Sequence, residues 1–330
     1  MRKIVLAGGT GQVGTILARH YRAAGDEVVV LSRKPQKAPW RTVAWDAKTL
    51  GPWTSELEDA DVVINLAGRS VNCRYTIANR RAIMSSRVDS THAVGEAIAW
   101  AKHPPRTWLQ MSTATIYAHR YDAPNDEATG IVGGTEPDAP ISWRFSIEVA
   151  RAWERAVDKA VTPQTRKVKL RSSVVLSPDR GGIFDTLLTL TRRGLGGTAG
   201  NGKQYVSWIH EADFVRAIEW ITAHESLTDV VNVASPNPIP NADFMRELRT
   251  ASHTNIGLAS PKPLITVGAF LMRTEPELVL KSRRVIPGKL LASGFHFTYP
   301  TWPQATVDLC ERSRRRRWSD VAATGRRGVA

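Results

Sequence analysis

Lys3-Ile4-Val5-Leu6-Ala7-Gly8-Gly9-Thr10-Gly11-Gln12-Val13-Gly14 is the stretch that decides how this chain is read. A short β-branched run enters a glycine turn, and a helix-like segment follows from Gln12 to Ala24 with Val13, Leu17 and Tyr21 on one face. Gly25-Asp26 stops that helix, and Glu27 to Leu31 reads as a second strand. The glycines satisfy both Gly9-x-Gly11-x-x-Gly14 and Gly8-x-x-Gly11-x-x-Gly14. Between a strand and a helix, such glycines allow a tight turn, close approach of the backbone to a pyrophosphate, and close packing of helix on strand. The phosphate then meets the positive end of the helix. Gly8, Thr10, Gly11, Gln12, Val13 and Gly14 are therefore candidate dinucleotide contacts, against the plainer reading of a glycine turn needed only for packing.

Working outward, Thr42 to Trp45 and Asp61 to Leu66 read as further apolar strands, the latter entering the turn Ala67-Gly68. Ala78 to Ala101 reads as a helix, Trp108 to Met111 as a strand ending in Ser112-Thr113, Ser142 to Ala160 as a helix and Lys167 to Leu176 as a strand. Strands that alternate with helices and are apolar on both faces predict an α/β protein, a Rossmann-type doubly wound parallel sheet. The expected organisation is a dinucleotide-binding domain over residues 1–177 and a smaller α+β substrate lobe over 178–311 whose boundary can interleave with the first. That lobe should hold a helix from Ala212 to Ala223, a strand from Val230 to Ala234 and a helix from Asn241.

The end of the second strand selects the cofactor. An acid there would bind the adenine-ribose hydroxyls of NAD, whereas a cation accommodates the 2′-phosphate of NADP. The residues are Ser32, Arg33 and Lys34, so NADP(H) is expected, with Arg33 as the 2′-phosphate ligand and Ser32 beside it. A solvated surface arginine is the alternative. Leu66, Ala67, Gly68 and Ser112 complete the expected cofactor wall, with Arg87 as a cation for a cofactor phosphate or an anionic substrate, against a surface ion pair.

Gly8 to Gly14, Asn65-Leu66-Ala67-Gly68 and Ser112-Thr113-Ala114-Thr115-Ile116-Tyr117 together resemble an extended short-chain dehydrogenase/reductase. Arg74-Tyr75-Thr76, Ser86-Arg87, Trp153-Glu154, Gly181-Gly182, Ser207-Trp208-Ile209-His210, Asn232 with Pro236-Asn237-Pro238, and Pro287-Gly288-Lys289-Leu290-Leu291 with Gly294-Phe295 are similar to an atypical subgroup. That subgroup carries the labels NAD-dependent epimerase/dehydratase and cell-division-inhibitor-like sugar epimerase. The resemblance runs in order from Lys3 to about Leu309 and implies an oxidoreductase or epimerase acting on a small or sugar-like molecule.

It also implies a Tyr-x-x-x-Lys pair, and none exists: the residues four positions after the tyrosines at 21, 75, 117, 121, 205 and 299 are Gly25, Asn79, Tyr121, Asn125, Ile209 and Pro303. With Glu154 matched to the helix glutamate of the family, the pair falls at Ser146 and Ala150. Thr113 matches the hydroxyl that orients a substrate oxygen, with a backbone-capping role as its alternative. Tyr117 is the remaining candidate proton donor, with a packed aromatic as its alternative. Arg74 and His210 are candidate substrate contacts, against a surface ion pair for the first and loop geometry for the second. A non-catalytic NADP(H)-sensing or interaction protein stays open beside the enzyme.

Composition narrows the classes. The 330 residues are 42% hydrophobic and 23% charged, as in a globular protein. The longest apolar stretch, about Leu264 to Met272, is too short to span a membrane. No secretory pattern follows Met1, so a cytoplasmic protein is expected. Two cysteines, Cys73 and Cys310, make neither a disulfide framework nor a zinc site, and no metal is expected. The net charge of +14 is concentrated at the C-terminus, where Arg312, Arg314, Arg315, Arg316, Arg317, Arg326 and Arg327 face one acid, Asp320. Residues 312–330 are expected to be a disordered basic tail, with a polyanion-contacting arm as the other reading and nucleic acid not the expected partner.

Overall fold

The computed structural model describes residues 1–137, 139–261, 265 and 275–325, with side chains described up to 316. Apart from Ile265, the apolar stretch at 264–272 lies outside the described residues. No helix among the described residues is long and apolar enough to cross a membrane.

The sheet strands are β1 (Lys3–Ala7), β2 (Glu27–Ser32), β3 (Arg41–Ala44), β4 (Val62–Asn65), β5 (Thr107–Thr113), β6 (Arg166–Ser172) and β10 (Asp229–Val233). They pair in the order β10-β6-β5-β4-β1-β2-β3, all parallel. Period-two alternation divides the buried side chains between two cores. Ile4, Leu6, Val28 and Val30 face one side, with Ile16 and Leu17 of α1 (Gln12–Ala23) and Phe214 and Ile218 of α5 (Glu211–Ala223). Val5, Ala7, Val29 and Leu31 face the other, with Ala93, Val94 and Ala97 of α2 (Ile77–Trp100) and Val157 of α3 (Arg144–Lys159). This is the doubly wound arrangement expected. The strand order reverses between β1 and β4, where open α/β sheets form a ligand crevice.

Two strands sit differently from expectation. The segment expected to form one strand from Lys167 to Leu176 breaks at Ser173, whose N–H donates to the Val233 carbonyl at 3.0 Å. The remainder, β7 (Val174–Leu176), leaves the large sheet and pairs with β9 (Trp208–His210). Val230 to Ala234, assigned on sequence to the smaller lobe, is β10 and lies at the edge of the large sheet beside β6. The chain thus returns to the first sheet after residue 177.

A third core holds Leu176, Phe184 and Leu188 of α4 (Ile183–Leu190), Phe244 and Leu248 of α6 (Asn241–Ala251), and Trp302, Leu309 and Cys310 of α9 (Trp302–Gly325). Short strands β8 (Tyr205–Val206) and β11 (Ile239–Pro240) pair antiparallel beside it, and two short helices, α7 (Glu277–Leu280) and α8 (Gly288–Ala292), precede α9.

The expected tail disorder is corrected over 312–325, which continue α9 as helix; residues 326–330 lie outside the described residues. Arg312 pairs with Glu211 and, at 3.3 Å, with Asp308; Arg315 pairs with Glu311 at 3.3 Å; Arg316 pairs with Asp179. Acids one turn back along the helix stabilise it, and Glu211 and Asp179 are too distant in sequence to have been read as partners.

Candidate functional site

The β1–α1 turn is built around contacts that exclude side chains. Gly8 has φ +74°, and a Cβ there would lie 2.7 Å from the Ala67 Cα at the end of β4. A Cβ on Gly14 would lie 2.3 Å from the Gly9 carbonyl oxygen. These two glycines let the turn pack against β4 and α1 pack against the turn. Gly11 is different: a Cβ there would meet nothing within 4 Å, so the space before the helix is open. Gly11 is also the N-cap of α1, without a side-chain cap and without an acid in the first turn. The first N–H groups of the helix, those of Gln12 and Val13 among them, therefore lack intrahelical partners and carry the positive helix end. Gln12 Nε2 is buried without a hydrogen-bond partner among the described residues. Thr10 is exposed on the turn, and Val13 packs on the first core.

At the end of β2, the Ser32 hydroxyl is buried and accepts from the Lys34 N–H at 3.1 Å. Arg33 is exposed and makes no ion pair among the described residues. After β4, Asn65 Oδ1 accepts from the Ala67 N–H at 3.0 Å, and the Leu66 N–H donates to the Ala7 carbonyl at 2.8 Å, so the second turn is locked to the first. A Cβ on Gly68 would lie 3.1 Å from the Arg87 guanidinium carbon. Arg87 Nη1 donates to the carbonyls of Arg69 and Ile83 at 3.0 and 3.1 Å, and the guanidinium lies 5.0 Å from the Trp153 ring. Burial pulls its pKa down to about 10, and no carboxylate pairs with it among the described residues. A desolvated cation beside the Ala67–Gly68 turn suits an anionic group.

The other candidates are redistributed. The Ser112 hydroxyl donates to Glu154 Oε1 at 2.7 Å, and Arg171 closes on the same carboxylate through Nε and Nη2 at 2.9 and 2.7 Å. Ser112 thus has no hydroxyl proton left to donate to a ligand, only an oxygen that accepts and its backbone. Thr113 Oγ1 accepts from the Thr115 N–H at 3.1 Å, the backbone-capping arrangement, with its own proton left to donate.

Tyr117 does not reach a pocket: it is 2% exposed, its hydroxyl donates to Asn232 Oδ1 at 2.9 Å, and its ring lies under Arg171 at 4.9 Å. Burial pushes its phenol pKa up. The reason is β10, whose return to the large sheet brings Asn232 over the tyrosine.

His210 is likewise removed from substrate contact. It is 0% exposed, caps α5 by accepting from the Ala212 N–H at 3.1 Å, and faces Asp308 through Nε2 at 3.0 Å. With Nδ1 an acceptor, the neutral ring carries its proton on Nε2. Burial holds its pKa below the usual range despite Asp308. Arg74 is half-buried just before α2, where its carbonyl accepts from Asn79 Nδ2 at 2.7 Å.

Beyond β5 the structure assembles residues that sequence reading passed over. Ser146, on the first turn of α3, donates from Oγ to Glu277 Oε2 at 2.6 Å. Glu277 is 2% exposed, and burial pushes its pKa up. Lys281 Nζ lies 3.9 Å from Glu277 Oε1 and donates to the Thr115 carbonyl at 2.8 Å; burial, then Arg283, brings its pKa down to about 8. Arg283 Nε donates to Thr115 Oγ1 at 3.1 Å. A small pocket is lined by Gly134, Glu136, Trp143, Arg144, Ile147 and Lys281. The one sequence signal was the spacing Glu277, Lys281, Arg283, and it has meaning only once the segment packs on the 113–115 turn.

Residues 4–234 match the NAD dependent epimerase/dehydratase family, and residues 260–309 match a domain of unknown function, DUF1731. The chain belongs to the NAD dependent epimerase/dehydratase family. It is 32% identical over 302 residues to the Bos taurus epimerase family protein SDR39U1, covering 90% of this chain and 96% of that one. The Homo sapiens protein of that name is 30% identical over 310 residues, covering 93% and 99%. Among solved structures, the human epimerase family protein SDR39U1 (isoform 2) with NADPH is similar at a TM-score of 0.82 and 28% identity, covering 94% of this chain and 99% of that one. The nucleoside-diphosphate sugar epimerase from Corynebacterium glutamicum is similar at a TM-score of 0.69 and 26% identity, covering 97% and 67%.

Proposed function

We propose that this chain binds NADP(H) across the ends of β1, β2 and β4 and uses it to oxidise, reduce or epimerise a small, sugar-like alcohol or carbonyl compound. The observation that carries this reading is the β1–α1 turn, where an uncapped helix N-terminus, open space before Gly11 and an unpartnered Gln12 Nε2 coincide. Those features fit a pyrophosphate. The presence of NADPH in the human relative supports the same nucleotide here.

Gly8, Thr10, Gly11, Gln12, Val13 and Gly14 would hold the pyrophosphate, and Leu66, Ala67, Gly68 and the Ser112 backbone would border the rest of the cofactor. Arg33, exposed and without an acidic partner among the described residues, would take the 2′-phosphate with Ser32 beside it. When bound, the nicotinamide supplies or accepts hydride. Arg87 would neutralise a phosphate or an anionic substrate group, and the Thr113 proton would orient a substrate oxygen. Arg74, just before α2, is a candidate substrate cation.

A nucleotide-binding protein without turnover is the second reading, favoured by Ser146 and Ala150 at the positions implied for the tyrosine and lysine. Incubation of the protein with 4-deuterated NADPH and a metabolite extract separates the two. Transfer of deuterium to a product, or its loss and return in an epimerised one, is expected; binding of NADPH with neither outcome supports the second reading.

A further inference from the structure

The turn that ends β5 has a sealed face and an open one. Ala114 and Ile116 are buried and pack with Tyr117 and Ala150, which leaves Thr113 and Thr115, both half-buried, on the open side. Each threonine oxygen already accepts a hydrogen bond: Thr113 Oγ1 from the Thr115 N–H at 3.1 Å, and Thr115 Oγ1 from Arg283 Nε at 3.1 Å. Neither hydroxyl donates to a protein acceptor among the described residues, so both protons are left for a ligand.

Behind the second hydroxyl stands fixed positive charge. Arg283 Nη1 donates to the carbonyls of Leu278 and Lys281 at 3.3 Å each, and Nη2 to the Glu277 carbonyl at 3.4 Å, which holds the guanidinium in one orientation. Lys281 Nζ donates to the Thr115 carbonyl at 2.8 Å. That ammonium lies 3.9 Å from Glu277 Oε1, but no carboxylate pairs with Arg283 among the described residues. A hydroxyl that accepts from a cation becomes a stronger donor, because successive hydrogen bonds polarise one another. The turn therefore presents two hydroxyl donors backed by positive charge, at the strand ends where open α/β sheets take their ligands.

Resting on the hydride-transfer reading above, we propose that Thr115 is a second catalytic donor that joins Thr113 in holding the substrate oxygen, with Arg283 and Lys281 as the positioning residues that orient and polarise it. The two hydroxyls stabilise an alkoxide and do not give up their protons. In reduction, the carbonyl carbon gains hydride from NADPH, the C=O π electrons move to oxygen, and the two O–H groups donate to the alkoxide as it forms. The alkoxide then takes a proton from water, leaving hydroxide. In oxidation, hydroxide takes the alcohol proton, and the C–H electron pair leaves as hydride to NADP+ while the C=O bond forms. This chemistry is compatible with Ser146 and Ala150 at the positions implied for the tyrosine and lysine. Without a concerted acid, the favoured substrates are carbonyl compounds whose alkoxides are weakly basic, those with an electron-withdrawing neighbour such as an α-dicarbonyl.

The test uses the full chain with NADPH and 9,10-phenanthrenequinone as the α-dicarbonyl probe, with NADPH affinity followed separately by nicotinamide fluorescence. Thr115→Val keeps the shape and the N–H to Thr113 but removes the hydroxyl, and should lower kcat by about 100-fold. Thr115→Ser should recover most of that loss. Arg283→Gln keeps an N–H donor without the charge and should lower kcat by about tenfold, with NADPH affinity unchanged in all three. A second readout is independent of turnover: 4-nitrophenol bound to the NADP+ complex places a phenol oxygen at the site and is coloured only as the phenolate. Its pKa should fall by about one or more on binding to the wild type and return towards the free value in Thr115→Val and Arg283→Gln. Wild-type kcat in Thr115→Val, equal losses in Thr115→Val and Thr115→Ser, a bound phenol that titrates as the free one, or NADPH binding with neither quinone reduction nor phenolate binding would each overturn the role of Thr115 and leave the cofactor reading standing. No NADPH binding by the wild type would overturn the cofactor reading and this one with it.

Discussion

At the β1 end of the sheet the site is made from backbone: consecutive residues Gly8 to Gly14 present N–H groups and empty space, and side chains do little. At the β5 end it is made from side chains that arrive from distant places: Thr113 at the end of β5, Ser146 on α3, and Glu277 more than a hundred residues later. Phosphate recognition asks for a helix end and close approach, which a contiguous motif encodes. Proton transfer asks for groups within hydrogen-bond reach, which the whole fold must deliver. The two ends should therefore fail differently when perturbed.

The largest effect is expected at the side-chain end. Glu154 holds both Ser112 and Arg171, and neither member of the ion pair is more than 12% exposed. Burial alone would lower the Arg171 pKa, but the carboxylate beside it raises it, so the guanidinium stays charged. Glu154→Ala leaves that guanidinium buried without its acid and should cost about 3–5 kcal/mol in urea unfolding. A cost below about 1 kcal/mol would mean that solvent reaches the guanidinium. At the backbone end, Gly14→Ala drives a methyl against the Gly9 carbonyl and should cost about 1–3 kcal/mol. It should also weaken NADPH binding far more than Glu154→Ala does among molecules that remain folded, because it moves the turn itself. Equal losses of binding would erase the distinction between the two ends.

A smaller effect tests the correction at His210. Its folded-state pKa is held low by burial, so the unfolded chain takes the proton first. The stability this contributes is complete above the unfolded value of about 6.5 and is lost as pH falls towards the folded value. His210→Asn should therefore lose less stability than the wild type between pH 7.5 and 5, by on the order of 1 kcal/mol, with NADPH affinity unchanged. An altered NADPH affinity would return His210 to the ligand site.

These contrasts follow what the sequence made legible. The doubly wound sheet was readable because each βα unit carries its own periodicity and turn, and the Gly8–Gly14 motif lies within one such unit. The sequence left a packed aromatic open for Tyr117 and loop geometry for His210, and could not name the partners Asn232 and Asp308, which come from a strand and a helix far along the chain. Tyr75 was within a quoted motif, Arg74-Tyr75-Thr76, but was set aside because Asn79 rather than lysine follows four residues later. The hydrogen bond between Ser146 and Glu277 becomes visible only when α3 and α7 are packed together. Helix over 312–325 was hidden for the same reason, since Glu211 and Asp179 neutralise arginines that look unpaired in sequence.

The central claim is that the β1–α1 turn and Arg33 form an NADP(H) site, and a fluorescence titration with NADPH and NADH of the wild type and Arg33→Ala tests it most directly. NADPH should bind more tightly than NADH to the wild type, and Arg33→Ala should lose about 1.5–3 kcal/mol of NADPH affinity, the range for a hydrogen bond to a charged group, while NADH affinity stays within twofold, or about 0.4 kcal/mol. Equal affinity for the two nucleotides in both proteins would contradict the role of Arg33, and binding of neither would contradict the account as a whole.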